Sequence, residues 1–142
     1  MAAKPRFLHL LSRAARAAQA IADDGLADTG LTAAQAGALF LIPAEGGASV
    51  NAISEGLGLA QSAASVLVQR LEAANLIERQ TDPNDRRAVL LTLTTCGRSL
   101  RARAAERAQQ MNTAATRGFT ADEQAIVARW LSHMIELKED RS

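Results

Sequence analysis

Apolar residues recur at spacings of three and four along most of this chain, and two short runs depart from that rhythm. Near the N-terminus, Phe7, Leu8, Leu11, Ala14, Ala15, Ala18, Ile21 and Ala22 repeat this way and predict a helix from about Pro5 to Asp23. Pro5 suits a first helical turn. Asp24 to Gly30 reads as a polar loop. Thr32, with Gln35 three residues on, has capping-box spacing, and it opens a helix over about 33–41 that should stop near Pro43. Glu45-Gly46-Gly47-Ala48 reads as a loop, and Ser49 can cap a short helix that ends at Gly58, a residue suited to the left-handed conformation. Gly56 inside that helix costs about 1 kcal/mol relative to alanine, so the helix depends on packing.

The stretch from Asn51 to Leu93 organises the rest. A second periodic run, Gln61 to Ala74, places Ala64, Leu67, Val68 and Leu71 on one buried face. Helix, short glycine turn and helix make a helix-turn-helix. Gln61, Ser62, Ser65 and Gln69 lie mostly off the buried face and can hydrogen-bond base edges or phosphates, and Ala63 can meet a thymine methyl. Asn75 can leave the helix in a left-handed conformation. Leu76 to Gln80 and Val89 to Leu93 then read as two strands. Pro83-Asn84-Asp85 has turn chemistry, so a hairpin forms whose tip carries Arg86 and Arg87. A basic hairpin beside a helix-turn-helix is a winged helix, its helix suited to the major groove and its wing to phosphates or the minor groove.

After the wing, Thr94 can cap a long helix reaching to about Arg117, with Gly118 beyond it. Arg98, Arg101 and Arg103 form either a solvated face or phosphate contacts. Thr120 and Glu123 make a second capping box, opening a last helix whose apolar face includes Ile126, Val127, Trp130, Leu131, Met134, Ile135 and Leu137. That face is broad for a terminal helix packing on its own domain alone. Ile126, Trp130 and Met134 are therefore expected dimerisation residues, while the periodicity of Phe7, Leu8 and Leu11 fits either a core helix of one subunit or a helix packing against a partner subunit.

Leu31-Thr32-Ala33-Ala34-Gln35, Leu71-Glu72-Ala73-Ala74-Asn75-Leu76-Ile77, Asp82-Pro83-Asn84-Asp85-Arg86-Arg87 and Leu93-Thr94-Thr95-Cys96-Gly97-Arg98 stand in the order and spacing of the MarR family. The resemblance covers about Phe7 to Leu137, and its most specific part is the wing followed by the Leu-Thr-x-x-Gly-Arg run. It implies a mainly helical fold with a small β-hairpin wing, a winged helix-turn-helix flanked by N- and C-terminal dimerisation helices. It implies a homodimeric transcriptional regulator reading double-stranded DNA at a pseudo-palindromic operator. It further implies a repressor released by a small aromatic or phenolic effector, bound in a cleft between the dimerisation helices and the winged helix. Asp85 matches the residue that orients a wing arginine, Arg87 matches that arginine, and Arg86 is its variable neighbour. Arg70 would brace the scaffold.

The sequence also departs from the family pattern. Ala60 stands where a capping Asp, Ser or Thr is common, and Val66 where a polar or basic residue often sits. Ala36 and Gly37 replace bulkier apolar residues, leaving either ligand space or a tighter helix crossing. The reading helix is poor in charge, with only Arg70 and Glu72 before Ala74. This keeps open a winged-helix protein adaptor that does not bind DNA.

Composition narrows the field. The chain has 142 residues, many of them alanine and leucine, with three phenylalanines, one tryptophan and no tyrosine, which suits helices. The division implied is residues 1–30 for dimerisation, 31–95 for the winged helix and 96–142 for further dimerisation, within one structural domain. A net charge of +1 gives no global basic field. Any DNA-binding surface must be local, although residues 1–20 carry Lys4, Arg6, Arg13 and Arg16 without an acid. Cys96 is alone, so no internal disulfide forms. Its place near a helix N-terminus allows a thiol-based redox sensor as an alternative. His9 and His133 lack metal-ligand spacing, no catalytic motif stands out, and no cofactor is called for. The first residues lack a signal-peptide core and no apolar run is long enough to span a membrane, so a cytoplasmic, non-enzymatic protein is expected.

Overall fold

The computed structural model describes residues 6–140. Lys4 and the expected helix-starting role of Pro5 lie outside them. The described chain forms two compact units that divide between Gln109 and Gln110.

In the first unit, α1 spans Phe7–Gly25 and buries none of its residues. The segment expected to be a polar loop is instead a single 3-10 turn, Ala27–Thr29, closed by Gly30 in the left-handed conformation. The turn forms because its neighbours bury apolar groups: Leu26 and Leu31 are core residues. Thr29 donates its hydroxyl to the Leu26 carbonyl at 2.6 Å and accepts from the Leu31 N–H at 3.2 Å, which satisfies a buried polar group locally. Helix α2 spans Ala33–Leu41 and has both halves of the Thr32/Gln35 capping box. Helix α3 spans Val50–Leu57, with the Ser49 hydroxyl accepting from the Ala52 N–H and Gly58 left-handed at its end.

Ala36 and Gly37 leave no ligand space. Ala36 is buried, and a Cβ on Gly37 would come within 2.8 Å of a Leu57 methyl. A Cβ on Gly56 would likewise come within 2.6 Å of Leu41. One glycine on each helix therefore permits a close α2–α3 crossing. That crossing is the packing on which the glycine-weakened α3 depends.

Helix α4 spans Gln61–Ala73, and its buried residues are Ala64, Leu67, Val68 and Leu71. Its N-cap, Ala60, supplies no side-chain bond. Asn75 leaves the helix at φ 58°, left-handed as its short amide side chain allows. The wing follows as β1 (Ile77–Asp82) antiparallel to β2 (Asp85–Leu93). Ala48, expected in a loop, bridges to Leu91 through two backbone bonds of 3.0 and 2.7 Å, adding a one-residue third rung to the sheet. Leu39, Ile42, Ile53, Val68, Leu71 and Leu91 are the fully buried centre of this unit. Each contributes about 2 kcal/mol of burial.

Helix α5 spans Thr95–Ala115. Thr94 joins three elements at its start. Its hydroxyl accepts from the Gly97 N–H at 2.9 Å and donates to the Asn75 carbonyl at 2.8 Å, and its own N–H donates to the Leu76 carbonyl at 3.1 Å. A Cβ on Gly97 would lie 1.9 Å from that same Leu76 carbonyl oxygen, so only glycine fits there.

The second unit contains the end of α5 and helix α6, Ala121–Glu139. The Thr120/Glu123 capping box is complete. Among its described residues α6 buries none; Ile126, Val127 and Ile135 are exposed, and Trp130 and Met134 are half-buried. Among the described residues no helix is long and apolar enough to cross a membrane.

Candidate nucleic-acid interface

The face of α4 opposite its buried stripe is set by the helical period. Ser62, Val66, Gln69 and Ala73 follow one another at i, i+4, i+7 and i+11 and all are exposed. Gln61, Ala63 and Arg70 are also exposed but lie on the flanks. Ser65 is half-buried, and its hydroxyl donates to the Gln61 carbonyl at 3.0 Å, a bond that occupies its donor. The turn before α4 is held by a residue that pattern reading passed over. Ser54 is buried, and its hydroxyl donates to the Leu59 carbonyl at 2.8 Å.

Arg70 does not brace the scaffold. It is exposed, and its side chain has no hydrogen bond or ion pair among the described residues. The brace is Arg79 on β1, whose guanidinium donates to both carboxylate oxygens of Glu72 on α4, at 2.8 and 3.2 Å. This bidentate pair fixes the base of the wing against the helix.

The wing differs in detail from the expected hairpin. Its turn is Pro83-Asn84, tightened by the Asp82 carboxylate accepting from the Asn84 N–H at 2.8 Å. Thr81 pairs with Val89, yet the next residue, Asp82, pairs with Asp85. Arg86, Arg87 and Ala88 are thus extra on β2, and the arginines project from a bulge on the strand rather than from the turn. Asp85 holds this bulge through the backbone, its carboxylate accepting from the Arg87 N–H at 3.0 Å. The Arg86 and Arg87 side chains are exposed and have no hydrogen bond or ion pair among the described residues.

The arginines of α5 follow neither expected course. Arg98 donates to the Leu93 carbonyl at 2.9 Å, and Arg101 reaches the Phe40 carbonyl at 3.4 Å with its Nε buried and unpartnered. Arg103 donates to the Asp28 carbonyl at 3.2 Å, and Arg107 pairs with the Asp28 carboxylate. They clamp α5 to the rest of its unit. The Arg107 hydrogen bond, with the nearby charges of Arg107 and Arg103, holds the Asp28 carboxyl below the usual carboxylate range against the opposing effect of desolvation.

A pocket of about 540 Å³ lies at the wing base, lined by Pro43, Asn75, Glu78, Thr94, Cys96 and Arg98 among others. Cys96 is exposed and free. Among the described residues no three His, Cys, Asp or Glu side chains gather to hold a metal. At the ends of the chain, Phe7 and Leu8 are exposed and Leu11 is half-buried.

Comparison with known proteins gives a consistent assignment. A sequence model of the MarR family matches residues 29–88. The HTH-type transcriptional repressor NicR of Pseudomonas putida is 28% identical over 132 residues, covering 93% of this chain and 84% of NicR. The structure of Bordetella bronchiseptica BpsR, whose DNA binding is regulated by 6-hydroxynicotinic acid, superposes with a TM-score of 0.81 at 30% identity, over 94% of this chain and 95% of that one. A mutant MarR from E. coli complexed with operator DNA gives 0.79 at 25% identity, over 89% and 91%.

Proposed function

The chain belongs to the MarR family of transcriptional regulators, and on that premise we propose that it is a cytoplasmic, homodimeric repressor that binds a pseudo-palindromic operator and is released by a small aromatic effector. The observation that carries the DNA contact is the arginine bulge. Arg86 and Arg87 have no protein partner among the described residues, and the Arg79–Glu72 pair ties their hairpin to the half-buried flank of α4. Unneutralised guanidinium groups beside a helix with a polar reading face suit phosphates and the minor groove, with Ser62 and Gln69 directed to base edges in the major groove. Gln61 and Ala63 flank that reading set. Ser65 contributes less, since its hydroxyl is bonded within the helix.

Two copies fit the apolar surfaces. Phe7 and Leu8 on α1, and Ile126, Val127 and Ile135 on α6, are exposed in the single chain. A second subunit covering these faces, together with Leu11, Trp130 and Met134, would remove them from water. An aromatic acid is the effector class that the relatives support, because BpsR responds to 6-hydroxynicotinic acid. Nothing in this reading requires catalysis, a metal or a cofactor.

Selection of operator sites from random DNA by the purified protein tests the proposal. A recovered inverted repeat, released when aromatic acids are added, is the expected result. Failure to enrich any sequence at any salt concentration would favour the adaptor reading instead.

A further inference from the structure

Val66 is the one bulky apolar side chain on the exposed face of α4, and it stands 47% exposed on the meridian opposite the buried stripe. We propose that Val66 is a specificity-determining residue that reads the C5-methyl group of a thymine in the major groove. The inference rests on the DNA-binding reading above and names how that binding discriminates.

The surroundings of Val66 make it prominent. In a helix, side chains lean toward the N-terminus, so Val66 lies over the turn that carries Ser62 and Ala63. Both are small, and the branched valine stands above them. Its neighbours along the meridian offer a hydroxyl at Ser62 and an amide at Gln69. The hydroxyl of Ser65 is engaged by the Gln61 carbonyl, so it leaves the centre of the face to Val66. Arg70 on the flank and Arg86 and Arg87 in the wing supply positive charge around an apolar centre. Charged groups of this kind fix register on the backbone, and the group between them meets the base edges.

Valine can accept or donate no hydrogen bond. Among the four bases only thymine presents a methyl group in the major groove; the other three present chiefly hydrogen-bonding groups there. Packed against G·C, Val66 would cover polar edge atoms that then lose water without gaining a partner. Against thymine it buries methyl on methyl. The preference arises as much from rejection of polar edges as from attraction. Isolated exposed apolar residues are common on protein surfaces. Valine, however, is a weaker helix former than alanine or leucine, and it stands at this position 47% exposed rather than in the core.

The test measures coupling between one side chain and one methyl group. Wild type, Val66→Ala and Val66→Ser are titrated by fluorescence anisotropy against the selected operator and against duplexes in which single thymines are replaced by deoxyuridine. That replacement deletes only the C5-methyl group. At one thymine per half-site, wild type should lose roughly fourfold in affinity, the value of one buried methyl-sized group, and roughly sixteenfold when both half-sites are changed. Val66→Ala and Val66→Ser, which change both subunits, should bind the unmodified operator roughly sixteenfold more weakly and be indifferent to the same replacement. If every deoxyuridine duplex affects wild type and both variants alike, the assignment of Val66 is overturned while operator binding stands. If wild type selects no operator at all, the DNA-binding reading fails and Val66 falls with it.

Discussion

Along α5, the side chains of Arg98, Arg101, Arg103 and Arg107 all turn back onto acceptors within the first unit, whereas those of Arg86 and Arg87, about ten residues earlier, meet none among the described residues. The side chain is the same and its surroundings decide its use. The α5 arginines start on a helix that runs past carbonyl oxygens left at the ends of other elements: Leu93 at the end of β2, Phe40 near the end of α2, and Asp28 in the 3-10 turn. Helix ends leave carbonyls without intrahelical partners, and arginine is well shaped to satisfy them. The wing arginines sit on a strand bulge that extends away from such acceptors. Their carboxylate neighbour, Asp85, is occupied with the Arg87 backbone. Substitutions along α5 should therefore be read in stability, and substitutions in the wing in DNA binding.

The largest effect should come from the joint that seats α5. Gly97→Ala would place a methyl group 1.9 Å from the Leu76 carbonyl oxygen, and the backbone must move to relieve it. That shift displaces the Thr94 bonds to Asn75 and Gly97 and draws the α5 arginines off their acceptors. A loss of about 3 kcal/mol in urea-unfolding free energy is expected. A variant as stable as wild type would mean that the joint is soft and that the clamp does not set the position of α5.

Arg87→Ala should do the reverse. Its thermal midpoint should match wild type, because the side chain makes no bond within the described chain. Its affinity should fall on operator and on scrambled DNA alike, and the slope of log affinity against log salt should shrink by about two, one for the wing of each subunit. A variant with unchanged slope would place the wing away from DNA and end the contrast with α5.

Much of this architecture is legible in the sequence because it depends on neighbours a few residues apart. The Thr32/Gln35 and Thr120/Glu123 capping boxes, the Ser49 cap, left-handed Gly58 and Asn75, and the Ala64, Leu67, Val68 and Leu71 stripe all follow from local spacing. The family pattern places the wing. What escapes depends on partners far along the chain. Ala48 becomes sheet only because Leu91 lies beside it. The 3-10 turn forms where Leu26 and Leu31 are buried, and Asp28 there waits for Arg103 and Arg107 from more than seventy residues later. The spacing of Arg98, Arg101 and Arg103 suggests a solvated face or phosphate contacts, since no periodicity reveals a carbonyl on another element. On the reading face, Val66 is visible as a departure from the family pattern, but only the exposure of its side chain beside the engaged hydroxyl of Ser65 gives it a role.

Between the two arginine groups stands Arg79, which is both paired and close to the DNA-reading elements. Its side chain is 45% exposed and that of Glu72 28%, so solvent screens the pair and Arg79→Ala should cost no more than about 0.5 kcal/mol in stability. The brace fixes the wing against α4, so its loss should weaken operator binding more than scrambled-DNA binding, unlike Arg87→Ala. Equal losses on both would make Arg79 one more phosphate contact.

The smallest effect, and the one whose sign is most constrained, belongs to Asp28. Its carboxylate accepts from Arg107 at 3.1 and 3.2 Å and lies 3.9 Å from Arg103. The Arg107 bond, aided by both positive charges, lowers its pKa in the folded chain. A carboxyl held low in the folded state prefers to be ionised there, so its stabilising contribution is complete above the ordinary carboxylate range. The contribution is lost as pH falls through the folded value, while both arginines stay protonated. Asp28→Asn lacks this titration. The thermal midpoints of wild type and variant should differ most near neutral pH and converge as pH falls below the ordinary carboxylate range. Added salt should narrow the gap at neutral pH, because the pair is exposed. DNA affinity near neutrality should change little, since the clamp secures α5 and not the wing. A gap that stays constant across the acidic range would show that the amide variant differs from wild type only in packing, and that the charge on Asp28 does not hold α5.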